Sequence, residues 1–111
     1  MKKKYRIKKN DEIKAVLNQR KVRKNAYFSV YASKNPLPHF RYALSVSKKF
    51  GKAVRRNWAK RRLRMILHEA RIQDSVDVFI IVHVHAAKLS YTQMKQELHK
   101  LLRKHNIGVK K

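Results

Sequence analysis

The chain has no cysteine, which excludes disulfides and cysteine-ligated zinc. Only two of its 111 residues are glycine, and neither lies in a Gly-rich loop of the kind that cradles phosphate. Its longest apolar run, Val78 to Val82, is far too short to span a bilayer. The N-terminus, MKKKYRIKKNDE, starts like the basic head of a secretion signal, but no apolar stretch follows it. A soluble cytoplasmic protein with no membrane partner is therefore expected. Negative charge is also scarce: the acids are Asp11, Glu12, Glu69, Asp74, Asp77 and Glu97, and none falls between Ile13 and His68. A metal-dependent nuclease needs clustered carboxylates to hold its ions, and these six are scattered. There is no cysteine nucleophile and no G-x-S-x-G. His83 and His85 form an H-x-H pair that would alternate on one strand face, but no nearby Cys or acid completes a metal site. No catalytic residues, no metal site and no cofactor are expected in the chain itself.

What is abundant is positive charge. Thirty Lys and Arg against six acids give +24. Such a domain repels itself, and a dense polyanion relieves that repulsion while releasing counterions. Sixteen Lys or Arg fall in the acid-free span from Ile13 to His68, whereas a solvated surface usually mixes signs. The length suits one domain, residues 1–111, with one core.

Hydrophobic spacing predicts a short helix over 11–19, capped by Asn10, with Asp11 and Glu12 in its first turn and Ile13, Val16 and Leu17 on one face. A short edge strand around Val22 follows. AYFSVYAS, 26–33, alternates as a strand, with Tyr27, Ser29 and Tyr31 on one face and Phe28, Val30 and Ala32 on the other. KNPLPH is a loop, and RYALSVS, 41–47, is a second strand expected to pair with the first as a hairpin. After Gly51 a helix runs from about Lys52 to Ala70, with Ala59, Leu63, Ile66, Leu67 and Ala70 as its buried stripe. VDVFIIVHV, 76–84, is nearly continuous in apolar residues and reads as a central strand. Ser90 with Gln93 resembles a capping box and opens a last helix, 91–104, with Met94, Leu98, Leu101 and Leu102 facing the core. The sum is an α+β sandwich of helices on a small sheet.

The densest charge lies on the 52–70 helix. Arg56, Lys60 and Arg64 stand at i, i+4 and i+8, flanked by Asn57 and Arg61, with the buried stripe expected roughly opposite. Arginine offers paired donors to phosphate and a plane that stacks on bases. Missing counter-charges favour nucleic acid over a merely solvated face. Tyr27 and Tyr31 add rings suited to single-stranded bases, while Phe28 and Val30, read from the strand pattern alone, favour the core.

The stretch SVSKKFGKAVRRNWAKRRLR resembles the signature of the bacterial ribonuclease P protein subunit, S-x-S-K-K followed by G-x-A-V-x-R-N-x-x-K-R-x-x-R. Gly51, Ala53, Val54, Arg56, Asn57, Lys60, Arg61 and Arg64 fall on it without a gap. RIKKNDEIKAV, NAYFSVYAS and LSYTQMKQELHKLL resemble that family's first helix, aromatic strand and last helix in order. The resemblance implies an α-β-β-β-α-β-α sandwich with a small mixed sheet and a left-handed β-α-β crossover, against the usual hand. It implies two RNA partners, the ribonuclease P catalytic RNA and precursor tRNA, and no protein partner. The chain would assist endonucleolytic removal of the tRNA 5′ leader, with the chemistry done by Mg2+ bound to the RNA. By position, Arg56, Asn57, Lys60, Arg61 and Arg64 would face the catalytic RNA, and Ser47, Lys48 and Lys49 would meet phosphate as they lead into the helix. Ile13, Leu17, Phe28, Val30 and Tyr31 would line a cleft for the leader. Two places depart from the family pattern. Ile13 and Leu17 stand where many relatives have Phe, which keeps an apolar wall but loses ring stacking. Trp58 takes the third place of an R-N-R triplet, where it either stacks on a base or packs. A ribosomal protein or RNA chaperone, and a membrane-active cationic protein, are the alternatives, although the apolar stripes look committed to a core.

Overall fold

The structure, a computed structural model, describes residues 3–70 and 72–105. Among the described residues three α-helices and four strands form, in the order α1 (Asn10–Asn18), β1 (Val22–Lys24), β2 (Phe28–Lys34), β3 (Arg41–Val46), α2 (Ala53–Glu69), β4 (Val76–Val82) and α3 (Tyr91–Lys104). This is the α-β-β-β-α-β-α order expected from the resemblance, and the sheet is mixed. Boundaries fall within a residue or two of the hydrophobic spacing. At α1 the N-cap is Lys9 rather than Asn10, and no side chain caps it. At α3 the capping box forms in full: the Ser90 amide donates to Gln93 Oε1 at 2.9 Å, and the Gln93 amide donates to Ser90 Oγ at 3.2 Å.

The strand order is β1-β2-β4-β3, so the expected hairpin between the second and third strands does not form. Instead β4 enters between them, antiparallel to β2 from Phe28↔Val82 to Lys34↔Val76 and parallel to β3 from Arg41↔Asp77 to Val46↔Val82. The physical reason lies in β4 itself. Its sequence VDVFIIV is apolar on both faces, and every residue but Ile81 is buried. Such a strand is stable only when both edges are paired and both faces covered. The loop after β2 is also held away from a tight turn. The buried Asn35 donates from its amide to Ser75 O at 2.8 Å and from Nδ2 to Asp77 Oδ1 at 2.7 Å, which fastens it to the start of β4.

Strand alternation sends Phe28, Val30, Ala32, Val78, Ile80 and Val82 to one side of the sheet. There they meet Ala59, Leu63, Ile66 and Leu67 of α2 and Met94, Leu98, Leu101 and Leu102 of α3. Each of the larger side chains stabilises the fold by about 1.5–3 kcal/mol on burial. On the other side lies α1, over a smaller cluster of Ile7, Val16 and Phe79. So few apolar residues hold α1 weakly, and an ion network reinforces it. Arg41, on β3, donates from Nε and Nη2 to the two carboxylate oxygens of Asp77 on β4, at 2.9 and 2.7 Å. Its Nη1 donates to Glu12 of α1 at 2.6 Å. The paired carboxylates hold the Arg41 guanidinium even more firmly charged than usual.

Candidate nucleic-acid interface

The approach to α2 is built by a short capped turn. Lys48–Phe50 forms a 3-10 turn whose first residue is preceded by Ser47, and Ser47 Oγ accepts from the Lys49 amide at 3.2 Å. Phe50 is buried and anchors the turn, while Ser47, Lys48 and Lys49 stay exposed. Gly51 then adopts φ +156°, and a Cβ there would sit 3.1 Å from the Arg55 side chain. Only glycine takes this backbone without strain. The turn thus points three polar residues outward and aims α2 across the sheet.

Around α2 the cations divide into two flanks and a crest. Arg56, Lys60 and Arg64 share a row as expected, but that row borders the buried stripe rather than opposing it, and all three are half-buried. The Nε of Arg56 and of Arg64 are buried without a hydrogen-bond partner among the described residues. Lys60 and Arg64 reach the β3 edge, where they line a depression of about 130 Å³ with Arg6, Ile7, Ile13, Tyr42, Ala43 and Leu44. The opposite flank is used for packing. Arg55 donates to Ala87 O at 3.3 Å, and the Arg62 guanidinium lies 3.6 Å from the centre of the Trp58 ring. The crest holds the exposed Asn57 and Arg61 together with Val54, Trp58, Met65 and His68.

On the α1 side, Ile13, Leu17 and Tyr31 come together around Ile7, Val16 and Phe79, joined by Ala43 and Ile81. Tyr31 and Phe79 meet edge to face at 6.5 Å. Phe28 and Val30, expected in the same cleft, are not there. Both are fully buried in the main core on the other side, because alternate residues of β2 point to opposite faces and these two share the parity of Ala32. Tyr27, just before β2, also packs towards the main core. The residues missing from the sequence reading, Phe79, Ile81 and Ala43, become neighbours only through the β4 register: Phe79 opposes both Tyr31 and Ala43, and Ile81 opposes Ser29. His83 and His85 do not share a strand face. β4 ends at Val82, His83 shares a 2.7 Å hydrogen bond with Ser29, and His85 lies in the 3-10 turn Val84–Lys88.

Four of the six acids pair with cations outside the lead-in turn and α2. Glu12 and Asp77 pair with Arg41, Glu69 pairs with Lys95 at 2.9 Å, and Glu97 pairs with Lys100 at 3.2 Å. Lys95 holds the Glu69 carboxyl below its ordinary range. Among the described residues no ion pair involves a cation between Lys48 and Arg64. The cations of the lead-in turn and of α2 are therefore not compensated by acids, and through Lys60 and Arg64 their field is continuous with the α1 side of the sheet.

Residues 1–106 match the family model described as Ribonuclease P. The chain belongs to the ribonuclease P protein family. It is 41% identical over 104 residues to the ribonuclease P protein component of Acholeplasma laidlawii, covering 92% of this chain and 90% of that one. Among solved structures, the Staphylococcus aureus ribonuclease P protein superposes with a TM-score of 0.84 at 33% identity, covering 93% of this chain and 96% of that one. The ribonuclease P protein of Thermotoga maritima gives a TM-score of 0.80 at 27% identity, covering 89% and 96%. As a ribonuclease P protein component, the chain is part of a ribonucleoprotein endoribonuclease that processes tRNA. Among the described residues no helix is long and apolar enough to cross a membrane.

Proposed function

We propose that the chain binds the catalytic RNA of ribonuclease P through α2 and its lead-in turn, and guides the 5′ leader of precursor tRNA along the α1 side of the sheet. The observation that carries this reading is the continuity of the two surfaces: Lys60 and Arg64 line one depression with Ile13 and Ala43. Arg56, Asn57, Lys60, Arg61 and Arg64 meet the catalytic RNA, with Ser47, Lys48 and Lys49 on neighbouring phosphates. Ile13, Leu17 and Tyr31, with Phe79 and Ile81, form the apolar bed for the leader.

In this reading the catalytic centre is on the RNA, and this chain supplies no reacting group. Among the described residues no three His, Asp or Glu side chains converge to hold a metal. Mg2+ held by the RNA partner would supply the activated water, and no residue of this chain would need to hold it. What the chain supplies is electrostatic. Two RNA strands, leader and catalytic RNA, repel each other as they approach. A row of cations at their junction lowers that repulsion and so lowers the Mg2+ needed for assembly. The test is reconstitution with a bacterial ribonuclease P RNA and a precursor tRNA at limiting Mg2+. Added protein should raise the cleavage rate and shift the Mg2+ requirement down. Cleavage indifferent to the protein would refute the reading.

A further inference from the structure

Among the described residues four large apolar side chains are exposed, and three of them sit on the crest of α2: Val54 at 80%, Met65 at 52% and Trp58 at 38%. An apolar row on the most cationic element of the protein calls for a ligand that is anionic at its edge and apolar on its face. Trp58 is also held in place. The Arg62 guanidinium covers the ring at 3.6 Å and lies 5.8 Å from the Tyr91 ring. Beside the indole is a depression of about 300 Å³ lined by Val54, Asn57, Trp58 and Arg61. A second depression of about 350 Å³, lined by Arg61, Arg64, Met65 and His68, adjoins it and shares Arg61.

We infer that the crest of α2 is a nucleobase-stacking site, in which an unpaired base of the RNA bound by α2 lies against the exposed surface of Trp58 and over Val54. Asn57 is placed to pair with the base edge, and Arg61 to hold the phosphate between this nucleotide and the next, which lies towards Met65. The base must be unpaired, because a base inside a duplex offers no free face. An apolar protein partner would have to bury Arg61 and Arg64 without a counter-charge, which the RNA supplies with every phosphate. The cation already stacked on Trp58 fixes the ring before binding, so little ordering is lost when the base arrives. The inference rests on the reading that α2 faces RNA, and it goes further by assigning Trp58 a direct contact.

The test uses the fact that Trp58 is the only tryptophan in the chain. Its emission, excited where tyrosine does not absorb, is followed as a bacterial ribonuclease P RNA is added, with binding measured in parallel by filter retention. Inorganic polyphosphate serves as the polyanion without bases. Binding of the RNA should remove most of the emission, while polyphosphate binds and leaves it nearly unchanged. Trp58→Ala should weaken RNA affinity about tenfold, with Trp58→Phe within about twofold of the parent, since stacking needs a ring. The salt slope should stay the same in Trp58→Ala and fall by about 1 in Arg61→Ala, which loses a phosphate contact. RNA that binds without changing the emission overturns the stacking site and leaves the RNA face of α2 standing. Equal quenching by polyphosphate, or parental affinity in Trp58→Ala, also overturns it. Failure of the RNA to bind at all overturns both readings.

Discussion

Replacing Arg41 by leucine would remove one side chain and leave Asp77 in place. The Asp77 side chain is only 7% exposed. It would keep a single neutral donor, Asn35 Nδ2 at 2.7 Å, and lose both charge-assisted bonds from the guanidinium. An unpaired buried charge costs about 3–5 kcal/mol, against a total stability of only about 5–15 kcal/mol. The Glu12 contact contributes far less. That carboxylate is about one-third exposed, so screening holds its share to about 1 kcal/mol or below. Arg41→Leu should therefore lower the melting temperature by more than about 10 °C, while Glu12→Gln shifts it by only a few degrees. The double variant Arg41→Leu with Asp77→Leu should recover most of the loss, because it removes the stranded charge along with its partner. Urea unfolding gives the free energies, and amide exchange along α1 shows whether that helix loosens first. An Arg41→Leu cost below about 1 kcal/mol, or a double variant no better than the single, would refute the assignment of Arg41 as the group that neutralises the buried Asp77.

Arg56→Ala with Arg64→Ala should lower the salt slope of RNA binding by about 2 and reduce cleavage in the reconstituted enzyme, and an unchanged slope would count against this flank as an RNA contact. Ile13→Phe should tighten binding of precursor tRNA by a few-fold and leave mature tRNA unaffected, since a ring at that position can stack on the leader; equal effects on both substrates would place the contact elsewhere. Stability should also fall with acidification. Burial lowers the His99 pKa below its ordinary 6.5, helped by Lys95 and Arg103 and opposed by Glu69. Burial and Arg23 lower that of His105, opposed by the Val30 carbonyl. The unfolded chain then takes up protons that the folded chain refuses, so these groups are neutral to stability above about 6.5 and cost stability as the pH falls below it, down to the lowered folded values. Thermal melts across that window should show the decline, and His99→Leu should flatten it; equal melting temperatures on either side of it would contradict the burial of both rings.

The parts of the fold that repeat locally were legible in the sequence. The stripes of α2 and α3, and the Ser90–Gln93 cap, depend on residues three or four apart, and the structure has each of them where the period puts it. What depends on distant pairing was not legible. Nothing near residues 28–46 says that β4 will divide β2 from β3. That follows from the two apolar faces of VDVFIIV, some thirty residues downstream of β3. In the cleft, local alternation already separates Phe28 and Val30 from Tyr31, against the grouping that the resemblance implies, whereas Phe79 and Ile81 emerge only with the register known. The role of Arg41 has no local signature, because its partners lie 29 and 36 residues away. One local sign was available, an acid at the second position of an otherwise apolar strand, since a buried carboxylate needs a cation. Helical spacing gives the angle of Trp58 on α2 but not the guanidinium that covers it.

The insertion of β4 into the middle of the sheet also sets when the protein can fold as it is made. A ribosome completes β1, β2, β3 and α2 before it reaches Val76, and until then β3 has no partner on its inner side. The main core likewise waits for Val78, Ile80 and Val82 and then for α3. Long-range closure of this kind makes folding slow and all-or-none, so truncated products ending before β4 have no strand to pair with β3 and keep only the short β1–β2 register. Meanwhile α2, with its uncompensated cations, emerges from the ribosome ahead of β4. An RNA that meets the nascent chain at this stage finds a basic segment not yet anchored to anything, and the same strand order that fixes the finished interface leaves it, for that interval, open to any polyanion nearby.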